Sequence, residues 1–373
     1  ECYYAICLMT ANREGLNAAC SYYEKCYSDF LAGKKGYIKY RDILFPLLRE
    51  YLLSLGNLNR NQDAITRAKK LLPHWATKEE HCTILEILCI SHYAMGQTKE
   101  AVQAIQNALQ YSCVHEPNYL LLLQEQGKTY YFHPNAYIYS EQICKPWEDA
   151  FSIYQKEWAA SLDNRNFSSR QRSISVHLNA GVADLIRGRL KDAEEKMSYL
   201  STYIDHTEMP FYEIKLRFFK AAVLLMREMA DRAPGRAYQE ICALLDQASD
   251  TCVIHYAMQD YPICFYLRAS TQLYAGRYPE AIDSYKKTCM VLQAHINSEQ
   301  EESIWSYFYE DMALRFVQLG IDFPPAILNG IQSIPLRYRV AQLTHCGDPE
   351  TAILECDRSP LLFCGGPWGI PKI

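Results

Sequence analysis

The chain has 373 residues, of which 49% are hydrophobic and 22% are charged, as in an ordinary folded globular protein. Its 38 basic and 43 acidic residues give a formal net charge of −5, which argues against nucleic-acid binding through this segment, because phosphate binding needs a concentrated basic surface. No run of 18 or more apolar residues occurs, so the sequence predicts no membrane span.

Apolar residues recur with a period near 3.6 along most of the chain, which predicts helices separated by short breaks rich in Gly and Pro. In chain order the predicted helices span 13–31, 38–56, 59–72, 78–95, 98–112, 170–187, 190–205, 210–231, 236–250, 260–275, 279–296 and 299–319. The stretch 118–161 is less regular, and we expect Pro146 to lie in the first turn of a helix there. The pattern weakens after Pro324, and 336–357 is predicted to form one irregular hairpin. No strand-like alternation of useful length is found, so the predicted fold class is all-α.

A short signature, an acidic residue followed by alanine, recurs where predicted helices begin. Its copies are Asp63-Ala64, Glu100-Ala101, Asp149-Ala150, Asp192-Ala193 and Glu280-Ala281, with a degenerate copy at Arg236-Ala237. The alanines are 37, 49, 43, 44 and 44 residues apart, and an apolar or aromatic residue follows four positions after each. A small residue followed one turn later by a larger one lets two helices pack closely. A mean step of about 43 residues lies within the range of helical repeat arrays.

Three of these units resemble tetratricopeptide-type (TPR-like) repeats, in which glycine ends a turn and an alanine then marks the second helix. The best local match runs from Gly276 to Ile282, and the other two units place Ala101 after Gly96 and Ala193 after Gly188. The resemblance covers roughly residues 13–320, although the step exceeds the usual length of about 34 residues and the leading tryptophan is absent. It implies a right-handed α-solenoid of stacked helical hairpins with a repeat length of about 43 residues.

The predicted domain organisation is one TPR-like array over 1–320, followed by an irregular cap and an extended hydrophobic tail over 321–373. The turn-forming residues near 163–169 predict a hinge within the array. In the tail, four side chains cost ~1.5–3 kcal/mol each if they are left in water. They are Leu362, Phe363, Trp368 and Ile370. The segment 361–373 is therefore either a frayed end or an extended strip docked on a helical surface of this chain or of a partner.

The number and spacing of the cysteines indicate the cellular compartment and whether a metal site is expected. Fifteen cysteines without a Cys-x-x-Cys pair indicate reduced thiols in a cytoplasmic protein, used as small apolar core residues. A zinc site can be imagined near the carboxyl end, but its spacings match no ligand pattern. Its residues would be His345, Cys346, Cys356 and Cys364. We therefore expect neither a metal nor another cofactor.

The chain shows no catalytic motif. It lacks a nucleophile elbow, a phosphate loop, a dinucleotide fingerprint and a His-Glu-x-x-His sequence, and its ten histidines are dispersed. We therefore expect a protein that is not an enzyme.

In a solenoid of this kind, one face of each first helix lines an inner groove. The predicted groove residues are Glu86, Ile90, Tyr93, Leu178, Val182, Leu185, Tyr266, Ser270, Leu273 and Tyr274. A surface rich in tyrosine suits a peptide or an extended protein segment, since tyrosine combines a large contact area with a polar tip. The competing interpretation is that these side chains fill gaps between hairpins, because 29 tyrosines place some on any face by chance.

The resulting expectation is a non-catalytic module that binds a peptide or a protein. Long, divergent repeats resemble the sensor regions of bacterial transcription regulators. The resemblance therefore implies that this chain is a ligand-sensing or dimerisation region. Such a region is compatible with a homodimer. The chain begins at Glu1 without methionine, so we expect a preceding segment; a DNA-binding domain there would supply the contact with nucleic acid. Two alternatives stay open: an adaptor without a switch, and a regulator of the aspartyl-phosphatase type that acts on a response regulator.

Overall fold

The structure is a computed structural model of the chain. It describes ten stretches of sequence: 16–34, 41–58, 60–75, 77–114, 116–131, 139–159, 167–204, 209–255, 260–293 and 304–344. The four possible zinc ligands, the hydrophobic tail and residues 163–166 of the expected hinge lie outside these stretches.

The described chain is all-α, as predicted, and no strand occurs in those stretches. The helices are α1 Leu16–Leu31, α2 Arg41–Asn57, α3 Asn61–Leu71, α4 Lys78–Ala94, α5 Thr98–Tyr111, α6 Pro117–Tyr131, α7 Ser140–Ile153, α8 Phe167–Ile186, α9 Leu190–Tyr203, α10 Pro210–Ala230, α11 Tyr238–Ile254, α12 Tyr261–Tyr274, α13 Tyr278–Leu292, α14 Ile304–Gln318, α15 Pro325–Gly330 and α16 Ile334–Thr344. A 3₁₀ turn, Leu72–His74, follows α3, and a π-helical turn, Tyr154–Trp158, follows α7.

The chain divides into two compact units, Glu1–Glu125 and Gln126–Ile373, and α6 contains the boundary. Within the first unit, consecutive helices in the series from α1 to α5 pack against each other, and α2 also packs on α4. Within the second unit, consecutive helices in the series from α7 to α14 pack in the same way, α8 also packs on α10, and α16 packs on α14. Stacked pairs of neighbouring helices are the pattern of a helical repeat fold. The predicted boundary at residue 320 stays a prediction.

The acidic-alanine signature marks the same position in four helices. Its alanine is the fourth residue of α3, α5, α9 and α13, and each of these alanines has an exposed fraction of zero. They are Ala64, Ala101, Ala193 and Ala281. A methyl group one turn inside the helix lets the neighbouring helix approach closely, which is the role that the sequence pattern indicates.

Two copies of the signature do not open a helix, contrary to expectation. Ala150 lies late in α7, where Ile143 is the fourth residue. Ala237 precedes α11, whose fourth residue is the buried Ile241. In these two hairpins a large side chain replaces the alanine, so local dipeptides alone do not fix the repeat register.

The turn after α10 differs from the glycine turns of the other hairpins. After α8, Gly188 has φ +71°, and the Arg189 N–H donates to the Asp184 carbonyl at 2.8 Å. After α10, Arg232 takes the same left-handed conformation with φ +50°. The carboxylate of the buried Glu228 accepts hydrogen bonds from backbone N–H groups of the following loop and stabilises this longer connection.

Other local expectations are corrected by the structure. Pro146 lies in the middle of α7 rather than in its first turn. The part of the expected hinge that is described, 167–169, is helical because α8 begins at Phe167. The region after Pro324 forms α15 and α16 up to Thr344, and the rest of the predicted 336–357 hairpin lies outside the described residues.

Two further properties of the described residues bear on chemistry. None of the described helices combines the length and the apolar character that a membrane crossing requires. Nine of the ten free cysteines that the structure describes are buried, and Cys113 is exposed. Burial raises the pKa of the Cys82 thiol to about 11 and that of Cys144 to about 12, so both thiols are protonated and weakly nucleophilic.

Candidate partner-binding surface

Helix α4 is held firmly at both ends. At its start, the Thr77 hydroxyl accepts from the Glu80 N–H at 3.2 Å and the Glu80 carboxylate accepts from the Thr77 N–H at 3.1 Å, which forms a capping box. At its end, the Gln97 N–H donates to the His92 carbonyl at 2.9 Å across the glycine turn. Side chains on α4 are therefore presented by a rigid element.

Most of α4 is covered by its neighbours in the first unit. Its buried residues are Cys82, Ile84, Leu85, Ile87, Leu88, Cys89, Ser91 and His92. One line of half-buried side chains stays open between them, and we call it the α4 stripe: Thr83, Glu86, Ile90 and Tyr93. Their spacing of three or four residues places them on one face of the helix. Three of them are the groove residues predicted from the sequence for this unit.

The α4 stripe has a defined polar end. The Tyr93 hydroxyl donates to Glu125 Oε2 of α6 at 3.1 Å, and Glu125 is only 8% exposed. Burial, followed by the charge of Glu125, raises the pKa of Tyr93 well above its usual range, and Glu86 adds to the shift. The phenol is thus a neutral donor to the Glu125 carboxylate.

The opposite end of the stripe lies in a field of the same sign. Besides burial, the charges of Glu116, Glu86 and Glu79 raise the pKa of Cys82, a buried neighbour of the stripe. The carboxylate of Glu116 is fixed by the Ser112 hydroxyl at 3.0 Å and by the Cys113 N–H at 3.1 Å. Both ends of the α4 stripe are therefore electronegative.

The predicted groove residues of α8 lie in the core of the second unit. Leu178, Val182 and Leu185 are 6%, 3% and 5% exposed and belong to one apolar cluster. These side chains pack against neighbouring helices and leave little surface for a ligand, so this part of the expected open face is corrected. A binding role for them would require the neighbouring helices to move.

The predicted residues of α12 are buried as well, with one exception. Tyr266 is 1% exposed; its hydroxyl donates to Asp311 Oδ2 of α14 at 2.8 Å, and its ring lies 5.0 Å from that of Phe308. Ser270 and Leu273 are also buried, and the Ser270 hydroxyl donates to the Tyr266 carbonyl at 3.1 Å. The half-buried Tyr274 donates to the Glu228 carbonyl at 3.4 Å. Helix α14 thus covers the Tyr266 end of the predicted face of α12.

The open side of α8 is a different line of residues, which sequence reasoning missed. It comprises the half-buried Arg172, Ser175, Asn179 and Ile186. The Ser175 and Tyr212 hydroxyls are 3.2 Å apart, which joins this line to α10. The polar residues Arg172, Ser175 and Asn179, spaced three and four apart, were the available signal.

A second feature that the sequence did not reveal is a packed cluster around His177. The imidazole stacks on Tyr199 at 4.0 Å and meets the edges of the Phe151 and Tyr154 rings at 5.0 and 5.5 Å. Its Nδ1 lies 2.8 Å from the Ser173 carbonyl, to which the neutral ring donates. Burial, together with the charge of Lys196, lowers the pKa of His177 to about 4. The ring is therefore a neutral core residue near pH 7.

The described residues contain no group of three or more His, Cys, Asp or Glu side chains arranged to hold a metal ion. The geometry that is present offers apolar contact, hydrogen bonding and negative charge along the α4 stripe. Such a surface can bind another chain.

No protein-family model matches the sequence, and no curated protein matches it.

Proposed function

We propose that this chain is a non-catalytic module that binds a peptide or a protein segment, and that the α4 stripe is part of its binding surface. One observation carries the proposal: a well-capped helix whose neighbouring side chains are buried leaves Glu86, Ile90 and Tyr93 half-buried on one face. These are the positions at which the resemblance to TPR-like repeats places a ligand-binding face.

The energetics of the α4 stripe are those of a recognition surface. Covering the remaining apolar area of Ile90 and Tyr93 would contribute roughly 1 kcal/mol each, since full burial of such side chains is worth ~1.5–3 kcal/mol. Because the helix is fixed at both ends, little ordering entropy opposes binding. A pair of anchors within a longer contact is typical of hot spots in interfaces.

The wider context that we propose is the sensing or dimerisation region of a cytoplasmic transcription regulator of bacterial type. Its support is the resemblance of the sequence pattern to such sensor regions. A test is DNA binding by the natural full-length protein. A defined DNA-binding segment joined to this chain would support the context, and its absence would favour an adaptor.

The binding function is tested by selecting peptides from a random displayed library on the full chain and measuring their affinity for variants. Ile90→Asp should weaken the selected peptides at least tenfold, because it places a charge in the apolar centre of the stripe. Val102→Asp is the matched control, since Val102 is a half-buried aliphatic residue of α5 in the same hairpin. Circular dichroism melting checks that both variants fold.

Two results would count against the proposal. One is that no library peptide binds the folded chain. The other is that the selected peptides bind Ile90→Asp as tightly as the parent chain, which would place their site elsewhere.

A further inference from the structure

The chemistry of the α4 stripe narrows the class of its partner. The stripe is neither purely apolar nor purely acidic: an aliphatic side chain, Ile90, lies between the carboxylate of Glu86 and the aromatic ring of Tyr93. Glu125 adds a second, nearly buried carboxylate that holds the Tyr93 hydroxyl at 3.1 Å. Such a surface complements a positive charge carried on an apolar stem.

We propose that the α4 stripe binds a protein segment in which an arginine or lysine side chain lies next to an aliphatic one. This inference rests on the proposed binding function and names its ligand class. The cation would pair with the Glu86 carboxylate. The aliphatic side chain would pack on Ile90.

The spacing along α4 sets the pattern that the segment must have. Glu86 and Ile90 are four residues apart, about 6 Å along the helix axis. In an extended chain, side chains on the same face are two residues apart, about 6.6 Å. A segment with the pattern Arg-x-Leu therefore reaches both positions, with the guanidinium fork matched to the carboxylate.

The negative field at both ends of the stripe supports the same choice. Near Cys82 the neighbouring charges are Glu79, Glu86 and Glu116, and near Tyr93 they are Glu86 and Glu125. An acidic segment would meet like charge at each end of the stripe. A basic segment is attracted to it, and this attraction weakens as salt is added.

The test uses three labelled peptides that differ at one type of position. Each repeats the pattern X-Ala-Leu, where X is arginine, glutamine or glutamate, and binding to the full chain is followed by fluorescence anisotropy at low and at physiological salt. We expect the arginine peptide to bind about tenfold more tightly than the glutamine peptide, and the glutamate peptide to bind least.

Variants locate the effect. Glu86→Gln should reduce the preference for arginine to about threefold or less, whereas Glu100→Gln, an exposed carboxylate of α5, should leave it unchanged. Tyr93→Ala should weaken the arginine peptide about tenfold, and Tyr93→Phe should restore most of that loss because the ring that flanks Ile90 is kept.

The outcomes separate this inference from the proposed function. Library peptides that depend on Ile90 but bind equally well with arginine, glutamine or glutamate would overturn the basic ligand class and leave the binding function standing. An arginine preference that survives both Glu86→Gln and Tyr93→Ala would also overturn it. Failure of every library peptide to depend on Ile90 would overturn the binding function itself.

Discussion

Helices α4 and α8 show how one sequence register leads to two different surfaces. Counted back from the glycine that ends each helix, Ile90 of α4 and Val182 of α8 occupy the same position. Ile90 is half-buried, whereas Val182 is 3% exposed within an apolar cluster. The distance from the turn fixes the direction in which a side chain points, but the neighbouring helices decide whether that direction is open.

Helix α12 shows what closes the face in the second unit. Tyr266 stands at the position that Glu86 occupies in α4, and it meets Asp311 and Phe308 of α14. In α4, Tyr93 contacts Glu125 of α6, yet Glu86 and Ile90 keep part of their surface. The same face is thus buried in one unit and half-exposed in the other.

The largest expected effect is a difference in stability between a variant of the buried face of α8 and a variant of the α4 stripe. Leu178→Ala should lower the free energy of unfolding by ~2–5 kcal/mol, because it leaves a cavity in the core. Ile90→Ala should cost about 1 kcal/mol or less, since its side chain is half-exposed. Urea denaturation of both variants measures the difference. Equal losses would remove the distinction between a core face and an open stripe.

The next prediction concerns the pH dependence of stability, because burial removes water from a titratable side chain and shifts its pKa. His177 has a pKa of about 4 in the fold, below the ordinary value of 6.5, so the unfolded chain binds its proton more readily. The neutral His177 ring therefore makes its full contribution to the free energy of unfolding above pH 6.5. This contribution, roughly 3 kcal/mol in total, is lost as pH falls towards 4.

His177→Phe should remove this loss while keeping an aromatic ring between its neighbours. Denaturant unfolding between pH 7 and pH 4 measures it, with a substitution of the exposed His255 as the control. If His177→Phe loses stability on acidification as steeply as the parent chain, the cluster does not hold a neutral imidazole.

A smaller effect is expected from two matched hydroxyl deletions. Tyr266→Phe should cost ~1–3 kcal/mol, because the buried carboxylate of Asp311 loses its donor. Tyr93→Phe should cost about 1 kcal/mol or less, because water can replace the phenol near the partly open stripe. Thermal unfolding of the two variants compares them. A larger loss of stability for Tyr93→Phe than for Tyr266→Phe would show that the Tyr93 hydroxyl is the more deeply buried of the two.

Much of the fold could be predicted because it rests on local periodicity. Helix boundaries at α4, α5, α9 and α13 follow from apolar periodicity, turn glycines and a buried alanine one turn inside each second helix. The shifted registers of α7 and α11 could not be predicted, since Ile143 and Ile241 replace the alanine and only packing reveals their role.

The candidate site was predictable only in part. The periodicity of α4 places Glu86, Ile90 and Tyr93 on one face, and all three are half-buried; their binding role stays a prediction. It could not tell that α14 would cover Tyr266 of α12, because that contact joins residues 45 positions apart in the chain, Tyr266 and Asp311. The exposure of a side chain depends on which other helices pack against it, and the repeat pattern does not reveal that packing.

Hydrogen–deuterium exchange of the full chain, with and without a saturating library-selected peptide, tests the central claim most directly. The predicted result is slower exchange in the segment 83–94 of α4, with no change in 172–186 of α8 or in 261–274 of α12. Protection confined to α8 or α12, or the absence of protection in α4, would contradict the assignment of the α4 stripe as the binding surface.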